Sequence, residues 1–191
     1  MAKLVAGTYG DALFELAVEE NRTDSLMEEI EAVRTVLKEN GDFEKILMHP
    51  EIPKEKKLQV VEDVFKGRIS DALTGFLRIV VTKGRYKELQ DIFAYFIARV
   101  KEFKKIGVAE VISAVPLNGE QKQKIEQKLL DTTHYETMEI EYKVDESKIG
   151  GMIIRIGDRV VDSTIRSKLD KITSSLMKIS LESEKEGVQT S

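Results

Sequence analysis

The chain has 191 residues, 41% of them hydrophobic and 34% charged, which is enough apolar material for one large or two small domains and excludes the disordered and membrane-spanning classes. Lys and Arg number 30 against 34 Asp and Glu, and a division near residue 105 leaves 18 against 19 before it and 12 against 15 after it, so neither part has the positive field that phosphate-gripping proteins need. There is no cysteine, which removes thiolate chemistry, disulfides and Cys-based metal sites.

The opening Met1-Ala2-Lys3-Leu4 runs into a helical pattern carrying Asp11 and Glu15, and this suits neither a signal peptide nor an acid-poor transit peptide. No stretch approaches the roughly 20 apolar residues that span a bilayer. From Lys3 to about Lys105 the apolar spacing is helical, and six helices are predicted. The first runs to about Asn21. The second starts near Thr23 to Ser25, which can cap it, places Leu26, Ile30, Val33 and Leu37 on one stripe, and stops at Asn40-Gly41. A short third holds Phe43, Ile46 and Leu47 before Pro50; Pro53 suits the first turn of a fourth, which ends at Gly67. The fifth spans about Ile69 to Thr82. Lys83-Gly84-Arg85 breaks it, and the sixth carries Leu89, Ile92, Phe93, Phe96, Ile97, Val100 and Phe103 until Gly107.

Helices one and five have unusually wide apolar surfaces. At 100° per residue, Val5, Ala6, Tyr9, Ala12, Leu13, Phe14, Leu16 and Ala17 cover roughly 200°, against the ~100° of an ordinary surface helix. In helix five, Ile69, Ala72, Leu73, Phe76, Leu77, Ile79, Val80 and Val81 leave a narrow polar strip at Asp71, Thr74, Arg78 and Thr82. Each needs cover on two sides, from its own bundle alone or from its bundle and a partner. Spacing does not separate these.

Val108 to Val115 is β-branched and closes at Pro116, so it reads as a strand. Asn118 with Gln121 reads as a capping pair opening a helix to about Asp131. Met138, Ile140, Tyr142 and Val144 alternate with Glu139, Glu141, Lys143 and Asp145, the period of a strand with one wet face. Ile149 to Ile156 is a further strand, with Gly150 and Gly151 inside it for close packing or a bulge. Gly157-Asp158 makes a tight hairpin turn, and Arg159 to Asp162 returns. Asp162, Ser163 or Thr164 can cap a last helix whose seam is Ile165, Leu169, Ile172, Leu176 and Ile179, before a polar tail from Glu182. The expected architecture is mainly α: a six-helix bundle over 1–105, a small α+β domain over 106–181 and a tail over 182–191.

Chemistry is hard to find along this chain. Its two histidines, His49 and His134, are not at metal-ligand spacing, Gly150-Gly151 lacks the lysine of a phosphate loop, and turn and cap roles account for Asp158 and Asp162. No catalytic residue, metal ligand or cofactor is expected. Arg155, Arg159, Arg166, Lys168 and Lys171 form a basic cluster that a nucleic-acid-binding α+β protein would use, but interleaved Asp158, Asp162 and Asp170 and the lack of aromatic stacking partners favour a solvated face or an acidic protein partner.

The stretch from Ile149-Gly150-Gly151-Met152 through Gly157-Asp158-Arg159-Val160-Val161-Asp162 to Leu169 closely resembles the C-terminal signature of the ATP synthase delta subunit family, called the oligomycin sensitivity-conferring protein in mitochondria. Tyr9-Gly10-Asp11-Ala12-Leu13-Phe14, His49-Pro50 with Lys56, and Lys83-Gly84-Arg85 resemble its first helix, its third-to-fourth junction and its fifth-to-sixth turn. The chain departs from the pattern at Gly10, where alanine is usual, and at Ser163-Thr164, where a small residue followed by serine is usual.

The resemblance implies a non-catalytic peripheral-stalk subunit on the cytoplasmic face of the cell membrane, without a cofactor. Its bundle would bind N-terminal helices of the alpha subunits in a groove between helices one and five. Tyr9, Ala12, Leu13, Leu16, Leu73, Phe76, Leu77 and Val80 are the candidates there. Its C-terminal domain would meet the C-terminal regions of the membrane-anchored b subunits, with Gly150, Gly151, Gly157, Asp162 and Leu169 as structural signature positions. Membrane association would come only through the complex, and nucleic acid would not be a partner.

Overall fold

A computed structural model describes residues 2–147 and 150–162. The chain is mainly helical, with seven α-helices among the described residues and a small four-stranded sheet. It divides into two compact units, Met1–Lys104 and Lys105–Ser191.

The first unit holds α1 (Ala2–Glu19), α2 (Thr23–Glu39), α3 (Gly41–Met48), α4 (Lys54–Phe65), α5 (Asp71–Thr82), a 3-10 turn at Tyr86–Glu88 and α6 (Leu89–Phe103). Each helix sends one apolar row inward: Leu26, Ile30, Val33 and Leu37 from α2, Phe43 and Leu47 from α3, Val61 and Phe65 from α4, and Leu89, Ile92, Phe93, Phe96 and Val100 from α6. Phe93, Phe96, Ile30 and Ile92 are wholly enclosed. Burying such side chains contributes ~1.5–3 kcal/mol each, the dominant stabilising term of the unit.

Several helix ends differ from the sequence expectation. The N-cap of α2 is Arg22, with no side-chain cap hydrogen bond, so Thr23 to Ser25 lie inside the helix instead of capping it. Asn40 closes α2 and opens α3, and its side-chain amide donates to the Val36 carbonyl; Gly41 is the first residue of α3, not a terminating glycine. Pro53 stands one position earlier than expected, at the N-cap of α4. Ile69 precedes α5, whose N-cap is Ser70, the hydroxyl accepting from the Leu73 N–H at 3.3 Å. Gly84, at φ 68°, makes the break after α5, as only a residue tolerant of left-handed backbone does readily.

The second unit holds β1 (Ile106–Ser113), α7 (Gly119–Thr132), β2 (Thr137–Val144), β3 (Met152–Ile156) and β4 (Arg159–Asp162), in the order β2-β1-β3-β4. β1 and β2 are parallel, so the chain must cross over between them, and α7 is that crossover. The other pairs are antiparallel. The Asn118 side chain accepts from the Gln121 N–H at 2.9 Å and Gln121 returns the contact at 3.0 Å, completing a capping box. Ala109 and Val111 face Ile125 and Leu129 of α7 in a small core, with Met138, Ile140, Tyr142, Ile154 and Ile156 around it.

Gly107 does not end α6; it lies inside β1, and Lys105, at φ 55°, makes the turn. A Cβ at Gly107 would come within 2.5 Å of the Met138 sulfur and 2.6 Å of the Tyr135 ring, so the glycine answers to close packing. Gly150 and Gly151 precede β3 instead of lying within it, both left-handed at φ 63° and 77°. Gly157, at φ 53°, leads the two-residue hairpin to β4. Asp162 is the last residue of β4, opposite Ile153. Ser163, Thr164, the expected last helix with Leu169, and the tail lie outside the described residues.

Candidate functional site

On α1, Ala6, Gly10, Leu13 and Ala17 form the buried row. Val5, Tyr9, Ala12 and Leu16 form a second row roughly 100° around the helix, and none of them is buried; Ala12 is exposed. The roll of α1 is fixed from its other side by α6. The Tyr95 ring lies against Gly10, where a Cβ would come within 2.4 Å of a ring carbon. The Tyr95 hydroxyl donates to the Asp11 carboxylate at 3.1 and 3.2 Å, and the Arg99 guanidinium lies 3.5 Å from Asp11 and 5.3 Å from the centre of the Phe14 ring. The hydrogen bond to Asp11 holds the proton on Tyr95 and raises its pKa above the ordinary 10.0, with burial and the Asp11 charge acting the same way. Phe14 meets Phe103 edge to face at 5.6 Å.

On α5, Leu73, Phe76, Leu77 and Val80 are buried against the rest of the unit. Ala72, Gly75 and Ile79 form the outer row, with Ile79 54% exposed. A shallow depression of about 390 Å³ runs along this side, lined by Gly75, Arg78, Ile79, Thr82 and Lys83. The two helices meet at Tyr9 and Phe76, whose rings pack edge to face at 6.4 Å. They run antiparallel. At one end Arg22, just beyond α1, donates to Glu29 at 3.2 Å, and Glu29 accepts from the Ser70 N–H and hydroxyl at the start of α5 at 3.0 and 2.6 Å. At the other end the turn that follows α5 packs beside α1, whose N-terminal half lies there because α1 and α6 run parallel through the pairs Gly10 with Tyr95 and Phe14 with Phe103.

The eight candidates therefore divide. Leu13, Leu73, Leu77 and Val80 belong to the unit's own core, and Phe76 joins them with one edge against Tyr9. Tyr9, Ala12 and Leu16 lie on the outward row of α1. Val5, Ala72 and Ile79, present in the wide apolar arcs but absent from the candidate list, complete the two outward rows. Their i, i+3, i+4, i+7 spacing, offset from the core row, is the signal that marks them.

In the second unit Glu110 sits between Lys143 at 2.6 Å and Arg155 at 3.1 Å on one face of the sheet. The hydrogen bond from Lys143 first, and the charge of Arg155 with it, hold the Glu110 carboxyl below its ordinary 4.5. Arg155 is thereby neutralised and is a poor phosphate contact. Of the basic cluster, Arg159 is exposed, while Arg166, Lys168 and Lys171 lie outside the described residues. Among the described residues no helix is long and apolar enough to cross a membrane.

Residues 5–176 match the family model described as the ATP synthase delta (OSCP) subunit. A protein of Lachnoclostridium phytofermentans called ATP synthase subunit delta is 55% identical over 181 residues, 95% of this chain and 100% of that one. One of the same name from Clostridioides difficile is 32% identical over 180 residues, 94% and 99% of the two chains. A chain in the mitochondrial ATP synthase hexamer of Toxoplasma gondii has the same fold, with a TM-score of 0.70 and 22% identity over 90% of this chain and 97% of that one. None of these similarities supports the nucleic-acid reading. Matched along nearly its whole length by the family model and by relatives 55% and 32% identical to it, the chain belongs to the ATP synthase delta (OSCP) subunit family.

Proposed function

We infer that this chain is a non-catalytic peripheral-stalk subunit of an F-type ATP synthase, linking the catalytic head to the membrane-anchored b subunits so that proton-driven rotation is coupled to ATP synthesis. The first unit, acting as a six-helix bundle, takes an amphipathic N-terminal helix of an alpha subunit. The second unit meets C-terminal regions of the b subunits, at the cytoplasmic face of the membrane. A stator transmits torque and makes no bonds, so it needs tight contacts and no reactive groups. An interface that outlasts many turnovers at nanomolar affinity corresponds to about 12 kcal/mol, which helix-in-groove burial can supply.

The observation that carries this reading is the pair of outward apolar rows, Val5, Tyr9, Ala12 and Leu16 on α1 with Ala72 and Ile79 on α5, meeting at Tyr9 and Phe76. A visiting helix laid along them would remove these side chains from water without disturbing the core beneath. The test is calorimetric titration with an alpha-subunit N-terminal peptide. Ala12→Asp or Ile79→Asp should weaken binding at least about tenfold and leave thermal unfolding unchanged, because both positions already face solvent. Leu73→Asp should instead melt the unit. Unaltered affinity in both surface variants rules out this face as the binding site.

A further inference from the structure

The charges flanking the two outward rows are not evenly spread. Glu15 and Glu19, each three positions after a row residue (Ala12 and Leu16), edge the C-terminal half of α1. The antiparallel arrangement brings the N-terminal end of α5, with exposed Asp71, to that same end. All three carboxylates lack an ion-pair partner among the described residues. Of the cations near this end, Arg22 is already answered by Glu20 at 3.6 Å and Glu29 at 3.2 Å, Arg68 lines a depression with Val36, Asn40, Val60 and Val64 of other helices, and exposed Lys66, which follows α4, offsets part of the acidic charge. At the opposite end Lys83, the C-cap of α5, stands one turn beyond Ile79 of the outer row, exposed and without an ion-pair partner among the described residues. Arg78 stands beside it, paired with Glu62 at 3.1 Å. The apolar face thus has an acidic end at Glu15, Glu19 and Asp71 and a basic end at Lys83.

We propose that the α1/α5 face selects an amphipathic helix of divided charge, with basic side chains over Glu15, Glu19 and Asp71 and acidic side chains over Lys83, and that this division sets which way round the helix lies. The inference rests on the helix-binding reading of this face and adds the chemistry of the occupant. Apolar rows alone tolerate either direction, because a stripe at i, i+3, i+4, i+7 reads nearly the same from both ends. Like charges brought together in the wrong orientation disfavour one of the two, and partial desolvation beside an apolar seam strengthens that choice.

The test uses two synthetic 20-residue peptides with the same composition, zero net charge and one Leu/Ile stripe. One has its lysines in one half and its glutamates in the other; the second has them interleaved. At ~50 mM salt the divided peptide should bind the full-length protein about five- to tenfold tighter, and the gap should close by ~0.5 M salt. A nitroxide on its lysine end should broaden amide signals near Glu15, Glu19 and Asp71 and spare those near Lys83. The double variant Glu15→Lys with Glu19→Lys, both at exposed positions, should abolish the preference with melting unchanged. Equal affinities, broadening at both ends, or no binding of either peptide overturns the proposal. An alpha-subunit N-terminal peptide titrated alongside separates the two readings: if it binds, only the charge division falls, and if it does not, the helix-binding reading falls as well.

Discussion

Gly10 shows how a residue answers to a neighbour remote in sequence. In a helix interior alanine is ordinarily better than glycine by ~1 kcal/mol. In this chain the Tyr95 ring, held by Asp11, occupies the space. Gly10→Ala should therefore destabilise the first unit by about 1–2 kcal/mol, and in a Tyr95→Ala background the same change should stabilise it; urea unfolding of the four proteins measures the sign reversal. Glu110 gives a second prediction at this scale. Its folded pKa is depressed by Lys143 and Arg155, so its contribution is present above the ordinary 4.5 and is lost as pH falls through the folded value. Glu110→Gln should cost stability at pH 7, and the difference from the parent protein should narrow toward pH 3 in denaturant titrations.

Among the elements, α7 depends most on its cap. Only Ile125 and Leu129 are buried, so the helix has a thin apolar anchor, and the reciprocal Asn118 and Gln121 hydrogen bonds satisfy two donors that otherwise face water. Asn118→Ala should cost about 1 kcal/mol, read by denaturant unfolding followed through a second-unit probe, and Asn118→Asp should retain most of it. The helix α2 offers the contrast. It lacks a side-chain cap, so replacing Thr23 or Ser25 by alanine should change stability by no more than ~0.5 kcal/mol, since its hold comes from the row Leu26, Ile30, Val33 and Leu37.

For the molecule as a whole, each unit has its own apolar core, one running from Ala6 to Val100 and the other around Ala109 and Val111. The outward rows of α1 and α5 both belong to the first unit, which ends at Lys104, itself paired with Asp24 of α2. A fragment ending at Lys104 should accordingly melt as one cooperative transition and bind the alpha-subunit peptide within about twofold of the full chain. Loss of binding in a folded fragment would place part of the site in the second unit.

Among the described residues the sequence by itself determined where helices and strands lie, because periods of 3.6 and 2 are local properties, and it showed that α1 and α5 carry more apolar surface than one contact uses. It placed the capping box at Asn118 and the turns at Gly84 and Gly157. It misread Gly107 and Gly41, since a glycine required for close approach or merely tolerated at a helix start looks the same in a sequence as one that ends a helix. Only the tertiary structure decided which part of each wide arc faces inward. For α1 that roll is set by Tyr95, Arg99 and Phe103 on α6, more than 80 residues away. It thereby sent Leu13, Leu73, Leu77 and Val80 to the core, left Val5 and Leu16 half-buried at its edge and turned Ala12 and Ile79 toward solvent. Side chains of equal hydrophobicity differ in fate only through what packs against them, and packing is a property of the folded chain.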